Sequence, residues 1–201
     1  MTVPLLSSVF TQELRKSTAP LHEQLESLPV SQSILAPEVS IQEYLRYLDL
    51  MHDVIVDVET TLFPIVSTEI NSLNERRKTS LLERDFEVLG FQKQKKRRLT
   101  AFSEQVNPIG FAMGVFYVIE GSSLGGRVIY KHIHKVLGLD TDSGAAYFSG
   151  YGELTGMLWK EFMTELITHE QKNHNGDEII AGANHAFDVI SKHFQGTLEN
   201  S

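Results

Sequence analysis

The first chemical candidates are a histidine–carboxylate pair and a set of glycines. His22 and Glu26 stand four residues apart. In a helix that spacing puts both on one face, where the carboxylate accepts a hydrogen bond from one ring nitrogen and makes the other more basic. Proteins tune metal-ligating histidines in this way, although the same spacing also makes ordinary surface pairs. Gly114, Gly121 and Gly125 are separated by seven and then four residues, so in a helix they share nearly one face. Gly110 and Gly126 lie in the same segment. Each helical glycine costs about 1 kcal/mol relative to alanine, so repeated use implies that something approaches the backbone closely. Two readings fit: a tight helix–helix seam, or a flat ligand resting on the backbone with a kink at Gly125–Gly126. Ser122, Ser123 and Arg127 make the segment partly polar, which a pure packing seam does not need.

The other histidines assemble no familiar site. A di-iron carboxylate centre needs two Glu-x-x-His units and two further glutamates, and the nearest match is a single Asp49-x-x-His52. His169, Glu170 and His174 lack the His-Glu-x-x-His spacing. His132 and His134 are two apart, so they point to different sides of a helix and read as surface residues. With no cysteine in the chain, thiolate nucleophiles, disulfides, Cys-based zinc and iron–sulfur sites are excluded. No strand–turn–helix context offers a phosphate loop or a nucleophile elbow.

The elements that would position these residues read as helices throughout. Leu14, Leu21, Leu25 and Leu28 form one stripe, ended by Leu28–Pro29. Pro20 lies inside it and predicts either a kink or a helix that starts at Thr18, which would leave Arg15 off the helix. Ser40 and Glu43 are spaced as a capping box for a helix through Tyr44, Leu48, Met51, Ile55 and Val58. A third helix covers Leu82, Phe86 and Leu89 and ends at Gly90. The fourth has Asn107 as N-cap, Pro108 at the first helical position and Gly138 at its end. Gly150–Tyr151–Gly152 forms a turn before a helix through Leu158, Trp159, Phe162 and Leu166. A polar turn from Asn173 to Asp177 leads to a last helix through Ile180, Ala183, Phe187 and Ile190. There is no internal repeat or linker, so one all-α domain over residues 1–201 is expected, with residues 1–10 and 196–201 as flexible tails.

Composition narrows the function. A net charge of −8 opposes non-specific nucleic-acid binding. The basic block Lys93 to Arg98 reads first as a solvated helix face, or else as a docking patch for an acidic electron donor. The apolar run Ile109 to Ile119 is shorter than the roughly 20 residues needed to span a bilayer. Met1 to Phe10 has no basic residue before its apolar stretch, a poor signal peptide. These features predict a cytoplasmic protein with no membrane partner.

Two segments carry a family resemblance. The stretch from Leu14 through His22 to Glu26 resembles the proximal helix of the haem oxygenase family. Tyr117-Val-Ile-Glu-Gly-Ser-Ser-Leu-Gly-Gly126 resembles its distal helix in the bacterial, biliverdin-producing branch. Weaker echoes lie in 82–90, 155–162 and 183–187. The resemblance implies a single-domain haem oxygenase-like fold with haem sandwiched between proximal and distal helices. It makes His22 the proximal iron ligand, Glu26 its hydrogen-bond partner, and Gly121, Ser122 and Gly125 the distal catalytic face. Arg15 and Lys160 match basic positions that pair with haem propionates, while Tyr117 and Phe187 line the pocket. Ser122 stands where animal-type members carry an aspartate. The implied reaction is oxygen-dependent, reductant-driven cleavage of haem to biliverdin, carbon monoxide and ferrous iron, haem being substrate and cofactor at once. An external reductase or ferredoxin must supply electrons, since no flavin or nicotinamide fingerprint is present. A monomer or weak homodimer is expected. A haem-sequestering protein without turnover, a di-iron enzyme and a structural protein with a glycine seam are the competing readings.

Overall fold

A computed structural model describes residues 9–94, 102 and 108–196, and every regular element among them is helical. The first helix, α1 (Val9–Ser27), runs through Pro20 without interruption. The Thr18 hydroxyl donates to the Leu14 carbonyl at 2.9 Å from inside the helix, so Thr18 is not its cap and Arg15 shares a helix with His22. Val9 and Phe10, expected in a flexible tail, already belong to α1, and Phe10 is buried. The rest of that tail and residues 197–201 lie outside the described residues.

A short α2 (Pro29–Ser33) leads to α3 (Ile41–Thr61). The capping box forms as expected: the Ser40 hydroxyl oxygen accepts from the Glu43 amide at 3.2 Å, and the Glu43 carboxylate accepts from the Ser40 amide at 2.8 Å. After α4 (Phe63–Val66) and a 3₁₀ turn at Leu73–Arg76, α5 (Thr79–Val88) ends at Gly90 with φ of 64°. The long α6 (Ile109–Leu137) stops at Gly138, φ 70°. Its start differs by one residue from expectation. Pro108 is extended, ψ 151°, and stands at the cap position rather than at the first helical one, whereas Asn107 lies outside the described residues. Next come α7 (Ala146–Ser149), the glycine turn, α8 (Thr155–Asn173) and α9 (Gly176–Phe194). The polar turn between α8 and α9 shrinks to His174, which is left-handed at φ 52°, and Asn175.

At the centre, α6 packs on α9, α8, α7 and α4, while α1 packs on α9. By length and composition α6 is the one helix among the described residues able to cross a membrane. Its Val115, Phe116 and Ile119 are instead buried among the other helices, as in a core helix of a globular domain. The seam between α6 and α9 is made of bare backbone. A Cβ on Gly114 would stand 1.9 Å from the Ile179 carbonyl oxygen, and one on Gly182 would stand 2.0 Å from that of Phe111. Lys93 also departs from expectation. It follows α5 in a loop, and its nearly buried ammonium pairs with Asp49 at 2.6 Å and Asp53 at 3.0 Å on α3. The remainder of the basic block, 95–98, lies outside the described residues.

Candidate functional site

The glycines of α6 divide into two groups by what faces them. Gly110 and Gly114 abut α9, where a Cβ would clash with Asn175, Glu178 and the α9 backbone. One turn and more farther along, the helix faces a cavity. A Cβ on Gly121 would lie 3.6 Å from the Trp159 ring, and one on Gly125 would have no neighbour within 4 Å. The helix–helix seam of the sequence reading therefore lies at Gly110 and Gly114, whereas Gly121 and Gly125 face the cavity.

The cavity has a volume of about 720 Å³, within the range of small-molecule and cofactor sites. Its lining brings together Arg15, His22, Glu26, Tyr117, Gly121, Ser122, Gly125 and Phe187, all expected at the site. Lys160 does not line it; that residue is exposed on α8, and its neighbour Trp159 faces the cavity. A helical step of one residue turns a side chain by about 100°, so only one of the two can point inward.

One wall is α1. The His22 imidazole meets the Phe187 ring edge-on, centroids 5.6 Å apart, so α9 fixes where the imidazole stands. Its Nε2 lies 3.4 Å from a Glu26 carboxylate oxygen, and the two side chains are 56% and 67% exposed. An exposed pair at that distance contributes little stability, which leaves the imidazole available to a ligand. Arg15 and Thr18 lie within hydrogen-bonding reach of the Tyr117 hydroxyl, joining α1 to α6 at one end of the cavity. Burial pushes the Tyr117 phenol above its usual range, partly countered by the Arg15 charge and these hydrogen bonds.

The opposite wall is α6. The Ser122 hydroxyl donates to the Ile119 carbonyl in its own helix at 2.7 Å. Beneath this wall lies a buried ionic network. Glu120 accepts from Arg76 at 2.6 Å, from Lys78 at 3.1 Å and from the Tyr151 hydroxyl at 2.7 Å. Burial pushes the Glu120 carboxyl up, but Lys78, Arg76 and the hydrogen bonds outweigh it and hold the group below the usual carboxylate range. Tyr147 and Phe148 of α7 close the cavity over α6. The start of α7 is fixed from α5, where the Asp85 carboxylate accepts from the amides of Ala146 at 2.7 Å and Tyr147 at 2.9 Å.

Sequence reasoning missed Lys78, Arg76, Trp159 and α7. One signal was available. A carboxylate at 120 inside an apolar helix requires a cationic partner if buried, and Arg76 and Lys78 precede the nearest helix. The unused histidines form no metal site: no group of three or more potential ligands occurs among the described residues. His52 faces Glu83 at 3.8 Å, and burial is the main cause of its lowered pKa. His169 pairs with Glu69 at 2.8 Å. Of the two expected at the surface, His134 is exposed while His132 is partly buried against the Ala36 carbonyl at 2.8 Å.

Fold and family match together define an all-helical enzyme of the class that degrades haem. The chain belongs to the heme oxygenase family, whose model, described as Heme oxygenase, matches residues 8–196. Among solved structures it is similar to the NO- and CO-bound heme oxygenase from Neisseria meningitidis. That match has 24% identity, covers 97% of this chain and 94% of that one, and has a TM-score of 0.77. It is also similar to heme oxygenase from Leptospira interrogans, with 18% identity over 94% and 100% of the chains and a TM-score of 0.75. A third likeness is to heme oxygenase-1 from the cyanobacterium Synechocystis in complex with heme, with 16% identity over 95% and 94% and a TM-score of 0.71. No curated protein sequence matches the chain significantly.

Proposed function

We propose that this protein holds haem between His22 and the Gly121–Gly125 face of α6. It would cleave haem, with oxygen and externally supplied electrons, to biliverdin, carbon monoxide and ferrous iron. The observation that carries the reading is the pairing of walls: an available imidazole on α1 opposite a stretch of α6 where a Cβ on Gly125 would project into open cavity. A flat macrocycle fits that cradle, and the apolar lining suits its faces.

Bound haem supplies the iron at which oxygen is activated and the ring that is opened. His22 supplies a neutral nitrogen ligand, which, unlike a thiolate, does not favour O–O cleavage. Glu26 and the Phe187 ring orient the imidazole. Arg15, with Tyr117 beside it, supplies the cationic end suited to propionates, and Lys160 is left out of the site. Gly121 and Gly125 leave room for a small ligand on the far side, and Ser122 adds a hydroxyl there. Electrons come from a separate reductase or ferredoxin.

The test is a haemin titration of the wild-type protein and His22→Ala, followed by turnover with reductant and oxygen. Wild-type protein should give the spectrum of a six-coordinate histidine–water haem and accumulate biliverdin. His22→Ala should lose both. An unchanged spectrum in that variant removes His22 as the ligand, and wild-type haem binding without biliverdin reduces the protein to a haem carrier.

A further inference from the structure

Both long walls of the cavity give it a direction. Arg15 and Thr18 meet the Tyr117 hydroxyl at one end, and Glu26 follows Arg15 by eleven residues, about 16 Å along a helix. On the facing wall Phe148 sits against Gly126, where a Cβ would lie 3.5 Å from its ring. Gly126 is nine residues beyond Tyr117, about 13 Å at the same rise. Helix α7 therefore stands at the end away from Arg15. That end carries two phenols, Tyr47 of α3 and Tyr147 of α7, whose ring centroids lie 5.7 and 5.0 Å from that of Phe148. Both line the cavity, and neither hydroxyl has a hydrogen-bond partner among the described residues. Burial pushes both phenols up, Tyr47 to about 12 with help from the nearby Glu26 charge, so both keep their protons and stand as donors. Met51, Ile190 and Phe194 also line this part of the cavity, and their side chains offer no acceptor. A buried donor left without an acceptor is costly.

Haem brings nothing that answers these donors. Its only oxygens are those of the propionates, which suit Arg15, and its opposite edge carries methyl and vinyl carbons. Ring opening at the meso carbon opposite the propionates puts two carbonyl oxygens on that edge, one on each terminal pyrrole. We propose that Tyr47 and Tyr147 form a product subsite, each donating to one of these lactam oxygens. The cavity thereby retains the biliverdin isomer opened opposite its propionates and distinguishes it from haem at the end where the two differ.

The inference rests on haem binding as proposed above, and its test separates the two. The protein has a single tryptophan, Trp159, which lines the cavity, so quenching of its fluorescence reports occupancy. Haem-free wild type and Tyr47→Phe/Tyr147→Phe are titrated with haemin, with biliverdin opened opposite the propionates, and with the isomer opened between them. The double variant keeps both rings against Phe148 and loses only the hydroxyls. It should bind the first biliverdin roughly tenfold more weakly, the effect of two neutral hydrogen bonds. Haemin and the second isomer should bind it as they bind wild type. Undiminished binding of the first isomer, or an equal loss for all three ligands, overturns the inference. So does a wild-type protein that binds haemin but does not prefer the first isomer to the second. Where the double variant does not fold, Tyr47→Phe decides: a loss of about threefold confined to the first isomer supports the inference, and no loss overturns it. Failure of the wild-type protein to give the histidine–water spectrum with haemin would instead overturn the haem-binding reading.

Discussion

The division of the α6 glycines can be tested by adding one methyl group at a time. At Gly125 the new methyl meets nothing within 4 Å, so Gly125→Ala changes only backbone entropy in the haem-free protein. That stabilises a helix by about 0.5–1 kcal/mol, or roughly 1–4 °C in Tm for a chain of this size. At Gly114 the methyl would stand 1.9 Å from the Ile179 carbonyl oxygen and 2.8 Å from the Ala183 amide nitrogen. Both are backbone atoms, which cannot turn aside as a side chain does. Helices α6 and α9 must separate, at about 3 kcal/mol, minus the same propensity gain. The net loss of about 2 kcal/mol lowers Tm by roughly 4–8 °C. Circular dichroism melts of the two haem-free variants measure this, and haemin titration completes the contrast. Gly125→Leu should bind haemin yet lose turnover, because the bulk enters the side where oxygen must react. Gly114→Ala melting at or above wild type, or Gly125→Ala melting below it, would refute this account of the glycines.

Two further outcomes follow from interactions away from the cavity. Ser40→Ala removes the hydroxyl half of the α3 capping box and should cost about 1 kcal/mol, read as a lower melting temperature with unchanged haemin spectrum. Glu120 contributes a pH dependence whose sign is fixed by its lowered pKa. Its stabilising effect is fully present above the ordinary glutamate range near pH 4.5 and fades as pH falls through the depressed folded-state value. Stability of the wild-type protein should therefore decline more steeply below about pH 4.5 than that of Glu120→Gln, and parallel acid-unfolding curves would contradict this.

The long helices and the α1 face of the cavity were legible because they depend on local patterning. The Ser40–Glu43 box, the stops at Gly90 and Gly138, and the His22–Glu26 spacing each involve residues within one turn. What failed depends on partners distant in the chain. Spacing reports where a glycine lies around a helix but not what stands opposite it at each height, so Gly114 and Gly125 looked alike. Nothing local in Arg76-Arg77-Lys78 marks burial; two of them are buried where they meet Glu120, more than forty residues on. Lys93 looked solvated for the same reason, since its acidic partners lie on α3. Pro20 errs in the opposite sense: of the two outcomes it predicts, a helix starting at Thr18 fails, because α1 continues through the proline as one helix packed on α9.

The bare seam between α6 and α9 has an evolutionary consequence. Helix α1, which carries the His22 wall, leans on α9, and α9 leans on α6, which forms the opposite wall. At Gly114 and Gly182 no side chain intervenes between the two backbones, so the separation of the walls is inherited from the thickness of unadorned polypeptide. There is no smaller residue for either position to become. Substitution at these sites can only wedge the walls apart, which makes the spacing a floor that descendants of this sequence can leave in one direction alone.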